Sequence, residues 1–166
     1  MIGIPLANDF SKTIELIKEC NGIILSGGDN FIDKDYLLVK YLHDNNIPTL
    51  GICLGMQAMA QYFSSEVEID VINHKLNDCD GHFINIYENS LLHKIMKKNR
   101  IFVNSRHKSA VIDTKLVISA RSDDNVIEAI EDSTKHFFLG VEWHPESLND
   151  LYSERLFDYF INVCKS

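Results

Sequence analysis

Cys53 lies at the centre of a G-x-C-x-G run that separates two segments of different character. The segment before it, residues 49–53, is short and apolar and predicts a buried strand. The segment after it, residues 54–63, is rich in Met, Ala, Gln and Leu and predicts a helix. A sharp strand-to-helix turn needs small neighbours, which Gly51 and Gly55 provide. The run therefore indicates an α/β fold with Cys53 on a nucleophile elbow, at a helix N-terminus that favours the thiolate.

The apolar pattern changes between the two halves of the chain. The first half also predicts a strand at residues 22–26 and a helix at residues 33–44. The second half predicts closely spaced strands and a closing helix, at residues 82–87, 100–105, 116–122, 126–131, 137–144 and 149–164. Strands joined by short turns predict antiparallel pairs attached to the main sheet. Because no linker or repeat interrupts this order, residues 1–166 are expected to form a single domain.

The composition fits a globular chain and limits its partners. The 166 residues are 45% hydrophobic and 24% charged, with a net charge of -8. A surface of that sign repels phosphate groups, which argues against nucleic acid and anionic membranes as partners. The sequence shows no signal-peptide pattern and no apolar run of membrane-spanning length. We therefore expect a cytoplasmic protein whose cysteines are reduced.

The cysteines also have a simpler interpretation as core residues. A free cysteine is most often buried in the core, and Cys20, Cys79 and Cys164 are interpreted in that way. They form no C-x-x-C pair, so no zinc site is expected. For Cys53 the flanking glycines and the strand–turn–helix context favour the nucleophile.

A cysteine nucleophile needs a base, and that base needs an orienting partner. His144 is the candidate base because it ends the apolar strand predicted at residues 137–144, and catalytic residues collect at strand ends in open α/β sheets. Glu142 and Glu146 both lie two residues from His144, so in extended backbone either carboxylate could lie beside its ring. Pro145 limits the backbone and favours Glu146, but spacing alone does not choose between the two.

Two runs, Gly51-Ile-Cys-Leu-Gly-Met-Gln57 and Gly140-Val-Glu-Trp-His-Pro-Glu146, resemble the class I glutamine amidotransferase superfamily. The resemblance implies a flavodoxin-like open mixed sheet flanked by helices. It also implies a catalytic triad of Cys53, His144 and Glu146, and so selects one of the two carboxylates. A third run, Val103-Asn-Ser-Arg-His107, is similar to the signature of the γ-glutamyl-γ-aminobutyrate hydrolase-like (peptidase C26-like) branch. For that branch the resemblance implies hydrolysis of γ-glutamyl amide bonds through a γ-glutamyl thioester.

The resemblance suggests the remaining site residues as well. Leu25-Ser-Gly-Gly28 looks like the family's glycine loop, so backbone N–H groups of Gly28 and Leu54 would form the oxyanion hole. The residues expected to bind substrate are Gly27, Gln57, Asn104, Ser105 and His107. A plain turn is the simpler interpretation of the two glycines, and a helix-facing hydrogen bond is the simpler one for Gln57. No metal or organic cofactor is implied, and no role is assigned to His74 or His82.

Two departures from the family's pattern bear on these expectations. Residues 3–6 resemble the family's second strand rather than its first, so an edge strand and a helix are expected to be absent. Arg106 and Lys108 stand where the hydrolase branch commonly carries another His and a Gln. Two cations there suit an acidic or phosphorylated leaving group, and solvated surface charge is an equally good interpretation.

Three functions are compatible with these residues. The first is a stand-alone hydrolase of a small-molecule γ-glutamyl amine, which the Asn104–Ser105 signature favours. The second is a glutaminase subunit that supplies ammonia to a synthetase partner. The third is a non-catalytic binding protein that keeps the fold. The short N-terminus favours this alternative, and the intact triad argues against it. A homo-oligomer is compatible with each of them.

Overall fold

The computed structural model describes residues 10–28, 33–63, 66–69, 74 and 80–166. Within these ranges the strands, in chain order, are β1 (Ile23–Leu25), β2 (Thr49–Ile52), β3 (Val67–Ile69), β4 (Gly81–Ile86), β5 (Arg100–Asn104), β6 (Ser109–Val111), β7 (Val117–Ser122), β8 (Ile127–Glu131) and β9 (Phe138–Val141). The helices are α1 (Phe10–Lys18), α2 (Asp33–Asp44), α3 (Leu54–Tyr62), α4 (Leu91–Met96) and α5 (Leu151–Cys164). The strand expected at residues 3–6 lies outside the described residues, so the expected absence of an edge strand and a helix stays a prediction.

Seven strands form one mixed sheet in the order β1-β2-β9-β8-β7-β4-β5. The first three are parallel to one another, with Leu50 of β2 opposite Leu139 of β9. From β9 onward each neighbouring pair is antiparallel. Strands β3 and β6 form a separate antiparallel pair. The α/β fold with an open mixed sheet, expected from the resemblance, is therefore present, and its antiparallel part is the second half of the chain.

Apolar side chains on the two faces of the sheet belong to two buried clusters. Leu139 and Val141 of β9 join the cluster under α4 and α5, whereas Phe138 between them joins the cluster under α2 and α3. This alternation follows from the two-residue period of a strand. Because helices cover both faces, the central strands β2 and β9 are buried along their whole length, and the residues that follow them are held on a rigid support.

The end of β9 differs from the sequence prediction. The strand was expected to reach His144 but ends at Val141, and a short 3-10 helix follows at Pro145–Ser147. Proline suits the first turn of a helix because its missing N–H has no partner there. It also restricts the residue before it, and His144 adopts φ -107° and ψ 81°. His144 is therefore carried on the loop between β9 and this turn rather than on the strand.

Candidate active site

The strand-to-helix turn after β2 places Cys53 in a strained conformation. Cys53 has φ 51° and ψ -110°, in the positive-φ region that non-glycine residues rarely adopt. Its backbone N–H is fixed by a 2.8 Å hydrogen bond to the carbonyl of Val141 on β9. The turn also needs Gly55, because a Cβ there would collide with the carbonyl of Leu25. The sharp strand-to-helix turn predicted from the G-x-C-x-G run is therefore present.

The environment of the Cys53 thiol differs from the expected one. Its side chain lies in the core with 7% of the residue exposed. Burial, together with the nearby Glu142, raises the pKa of the Cys53 thiol to about 12, although the backbone N–H of Leu54 acts in the opposite direction. The expectation of a thiolate stabilised at the helix N-terminus is therefore wrong for the resting chain, because desolvation and the nearby carboxylates outweigh the stabilisation from the backbone N–H of Leu54.

His144 is paired with Glu146 and not with Glu142. The Nδ1 atom of His144 lies 2.6 Å from Oε1 of Glu146. The pairing arises because the 3-10 turn folds Glu146 back toward the ring, so the extended backbone expected from the sequence is wrong at this point. Burial acts to raise the pKa of Glu146, but the hydrogen bond with His144, a backbone hydrogen bond and the nearby positive charges together outweigh it and leave that pKa below its usual value. A carboxylate in this position holds the proton on Nδ1 and leaves Nε2 as the basic atom.

Gly27 brings the His144 ring and Cys53 to the same point of the structure. A Cβ added at Gly27 would lie 2.8 Å from Cε1 of His144 and 3.6 Å from Cβ of Cys53. Gly28 follows it and is exposed, and a Cβ there would lie 2.9 Å from Cδ2 of Leu54. The glycine loop after β1 therefore lies against both the elbow and the histidine, with Gly28 and Leu54 adjacent to each other.

Asn104, at the end of β5, holds the backbone of His144. Its Nδ2 donates to the carbonyl oxygen of His144 at 2.9 Å, and its Oδ1 accepts from the N–H of His144 at 2.8 Å. Both hydrogen-bonding ends of the buried carboxamide are thus used on the loop that carries the histidine. Its predicted contact with substrate stays a prediction, while the structure shows that it positions His144.

Gln57 lies one helical turn after Cys53 and faces the interior. Its Nε2 donates to Oε1 of Glu142 at 2.5 Å and to the carbonyl of Ser109 at 3.2 Å. Burial raises the pKa of the fully buried Glu142 to about 8, although the nearby His107 and the bond from Gln57 act to lower it. The simpler interpretation of Gln57, an internal hydrogen bond, describes what the structure shows, and its role toward substrate stays a prediction.

Ser105 and His107 also make internal contacts. The hydroxyl of Ser105 donates to the carbonyl of His74 at 2.6 Å. Nδ1 of His107 lies 2.9 Å from the carbonyl of Ser109. Both residues are buried, so any contact with substrate would require another arrangement of their side chains. Their predicted binding role stays a prediction as well.

His107 also belongs to a cluster with His74, His82 and Glu128, which is buried except for the partly exposed His82. The sequence did not predict this cluster. Nε2 of His82 lies 3.0 Å from Oε1 of Glu128, and Nδ1 of His74 lies 3.4 Å from the same oxygen. Despite complete burial, which acts to raise it, the pKa of Glu128 is lowered by the three histidines, His107 foremost. One signal could have revealed the cluster, namely a glutamate in the middle of the apolar strand predicted at residues 126–131.

Comparisons with known proteins identify the family of this chain and proteins of similar fold. Residues 32–146 match the Peptidase C26 family. The chain is 30% identical over 161 residues to one subunit of the glutamine-hydrolyzing GMP synthase of Methanosarcina barkeri, covering 90% of this chain and 77% of that protein. It resembles the glutaminase domain of Trypanosoma brucei CTPS, solved with bound acivicin, with a TM-score of 0.79, 22% identity and coverage of 99% of this chain and 79% of that one.

A glutamine amidotransferase of Thermotoga maritima has a similar fold, with a TM-score of 0.67, 15% identity and coverage of 90% of this chain and 66% of that one. Among the described residues, none of the helices has the length and apolar character needed to cross a membrane. The match to the Peptidase C26 family covers more than half of the chain, and its range includes the elbow at Cys53 and the pair of His144 and Glu146. This chain belongs to the Peptidase C26 family of the class I glutamine amidotransferase superfamily and is a hydrolase-type enzyme.

Proposed function

We propose that this hydrolase cleaves γ-glutamyl amide bonds, with Cys53 as nucleophile, His144 as base and Glu146 as the residue that orients the base. The observation that carries the proposal is that Gly27 borders both the strained elbow of Cys53 and a histidine that is hydrogen-bonded to a carboxylate. Strain of this kind concentrates at functional sites, and nucleophile, base and orienting acid together form the arrangement that covalent catalysis requires.

The chemistry begins from a neutral thiol, because the pKa of Cys53 is raised to about 12. As Sγ bonds to the γ-carbonyl carbon, the thiol proton passes to Nε2 of His144, whose Nδ1–H is held by Glu146. His144 then gives this proton to the leaving nitrogen as the carbon–nitrogen bond breaks, and a γ-glutamyl thioester remains on Cys53. A water molecule next attacks the thioester, with His144 accepting its proton and returning it to the sulfur.

Two backbone N–H groups are proposed to stabilise the oxyanion that forms in each step. They belong to Gly28 and Leu54, which lie on adjacent segments beside the elbow. Donors that are fixed before the reaction stabilise developing charge more effectively than mobile water. Gly27 is proposed to line the glutamyl site, while Gln57, Ser105 and His107 shape it from behind through their internal hydrogen bonds.

A glutaminase subunit is the second candidate. The observation that favours it is the 30% identity, over 90% of this chain, to a subunit of a glutamine-hydrolyzing GMP synthase. In that case the substrate is glutamine, the released amine is ammonia, and a synthetase partner receives it. The chemistry at Cys53 is the same for both candidates, so only the substrate and the partner distinguish them.

Arg106 bears on the leaving group. Its Nη1 donates to the hydroxyl of Ser147 at 3.2 Å, which places the guanidinium beside the short turn that carries Glu146. We propose that it favours γ-glutamyl conjugates whose amine part carries a negative charge. An Arg106→Gln variant would then lose rate on acidic conjugates relative to neutral ones, and an equal loss on both would contradict this preference.

The testing experiment measures amine or ammonia release from glutamine and from a panel of neutral and acidic γ-glutamyl amines, with Cys53→Ala as the control. Turnover of one γ-glutamyl amine in preference to glutamine, lost in Cys53→Ala, supports the stand-alone hydrolase. Turnover of glutamine alone, increased by an added synthetase, supports the glutaminase. Absence of turnover in all arms by folded protein contradicts the proposal and favours a non-catalytic binding role.

A further inference from the structure

The cluster of His74, His82, His107 and Glu128 has the geometry of a metal-binding site. We infer that His74, His82 and Glu128 bind a divalent transition metal of the zinc type, with His107 as the nearest further donor. The three ligating atoms lie within 4.8 Å of one another. The inference concerns a site that the proposed reaction does not use, and it reverses the sequence-based expectation that no metal is bound.

The separations of the donor atoms match those around a tetrahedral ion. Zinc bonds of about 2.0–2.1 Å at tetrahedral angles place neighbouring ligand atoms about 3.3 Å apart. The contacts to Oε1 of Glu128 measure 3.0 Å from His82 and 3.4 Å from His74. Nε2 of His107 lies 3.7 Å from the same oxygen and 3.1 Å from Nδ1 of His74. His74, His82 and Glu128 therefore each place one donor around one small volume, and His107 lies beside two of the three.

Hydrogen bonds on the outer side of the His74 and His107 rings leave the lone pair of the other ring nitrogen directed into that volume. Nε2 of His74 lies 2.9 Å from Oδ2 of Asp124, so this nitrogen carries the proton and Nδ1 keeps its lone pair. Nδ1 of His107 donates in the same way to the carbonyl of Ser109, which leaves Nε2 as an acceptor. If both rings are neutral, these two acceptors face each other at 3.1 Å. Partners of this kind, which fix the tautomer from outside, are typical of histidines that bind metals.

Protonation of one histidine would satisfy only part of the cluster. Within the described part of the chain, the two carboxylate oxygens of Glu128 have no hydrogen bond of acceptable geometry, and neither has Nε2 of His82, although these atoms lie close together. Glu128 is completely buried, and an unsatisfied buried carboxylate is costly. A divalent ion would bind both groups at once. The side chain of His82, which is 19% exposed, provides the route of entry.

A metal at this position would stiffen the segment that holds the proposed base. The carbonyl of His74 accepts the hydroxyl of Ser105. The preceding residue, Asn104, fixes the backbone of His144 through two hydrogen bonds. The ion would therefore act as a structural element behind the active site, with none of the steps at Cys53 passing through it.

The test titrates zinc and cobalt into full-length, chelator-treated Cys53→Ser protein, because the Cys53 thiol beside His144 could itself bind zinc. We expect one zinc ion per chain, a higher Tm in its presence, and the visible absorption of tetrahedral cobalt. His82→Gln and Glu128→Gln in the same background should each weaken binding by at least about tenfold. His93→Gln, which changes a histidine outside the cluster, is the matched control and should bind as the parent does.

Two results would overturn the site. One is the absence of stoichiometric zinc binding by Cys53→Ser protein with a native circular dichroism spectrum. The other is zinc binding that is unchanged in His82→Gln, the variant that is best tolerated because its side chain is partly exposed. Since every arm lacks the Cys53 thiol and none measures turnover, the outcome is independent of the proposed hydrolysis.

Discussion

At the scale of single residues, the site depends on a few side chains that other residues of the protein hold in place. Glu146 holds Nδ1 of His144, and Asn104 holds the backbone of the same histidine. Cys53 is fixed by the elbow rather than by its side chain, which is buried and neutral. The histidine is therefore oriented by residues of the protein, and the resting form of Cys53 is the neutral thiol.

The raised pKa of Cys53, about 12, predicts a characteristic pH profile of alkylation. Alkylation by iodoacetamide requires the thiolate, so its rate at Cys53 should keep rising up to pH 10, whereas an ordinary thiol levels off above about 8.5. Peptide mass spectrometry at a series of pH values would separate Cys53 from Cys20 and Cys164. A rate at Cys53 that levels off near pH 7 would indicate a preformed thiolate–imidazolium pair and contradict this account.

Replacing Asn104 by alanine should lower kcat with little change in KM. The variant loses both hydrogen bonds to the His144 backbone, and a base displaced by about 1 Å can cost about a hundredfold in rate. Steady-state kinetics on the substrate found for the wild type would measure it. Asn162→Ala, at an exposed position of α5, is the control. If the loss were entirely in KM, Asn104 would be a substrate-binding residue, as the sequence first suggested.

At the scale of elements, local pattern predicted those parts whose signal is contained in a short stretch of chain. The helix predicted at residues 33–44 is α2 (Asp33–Asp44), and the strand at residues 49–53 is β2 with one residue fewer. Helix α1, the six-residue α4 and the pair of β3 and β6 were not predicted. Three-residue strands have almost no periodicity, and β6 exists because β3, about forty residues away, pairs with it.

The candidate site likewise contains parts that a short stretch of sequence predicts and parts that it does not. Cys53 and its elbow were predictable because strand, glycines and helix are consecutive in the chain. The pairing of His144 with Glu146 was selected by resemblance, and the 3-10 turn that brings it about was not foreseen. The cluster around Glu128 could not be predicted from spacing, because its members come from separate segments that only the folded sheet brings together.

Helix α5 offers a test of element stability that leaves the site untouched. Asp150 caps this helix, and its Oδ1 accepts from the N–H groups of Tyr152 and Ser153, both at 2.8 Å. Asp150→Ala should lower the free energy of unfolding by about 1 kcal/mol, as measured by urea denaturation. Asp150→Asn keeps an acceptor oxygen and should retain most of the stability. An equal loss in both variants would mean that the charge, and not the cap, matters.

At the scale of the whole molecule, the two halves of the chain meet at the site. The parallel strands β1 and β2 carry the glycine loop and Cys53, while the antiparallel half supplies Asn104 from β5. Strand β9 joins them, since it pairs with β2 on one side and β8 on the other. The site therefore forms only when the complete sheet is assembled, and the distances within it depend on long-range packing.

The central claim is that Cys53 forms a covalent bond with the γ-glutamyl group. The most direct measurement is intact-protein mass spectrometry of the chain, quenched in acid soon after mixing with a γ-glutamyl substrate that it turns over. We predict a mass increase of one γ-glutamyl group, located on Cys53 by peptide mapping and absent from Cys53→Ala, which should also be inactive. Turnover that persists in Cys53→Ala, or an adduct on another residue, would contradict the account.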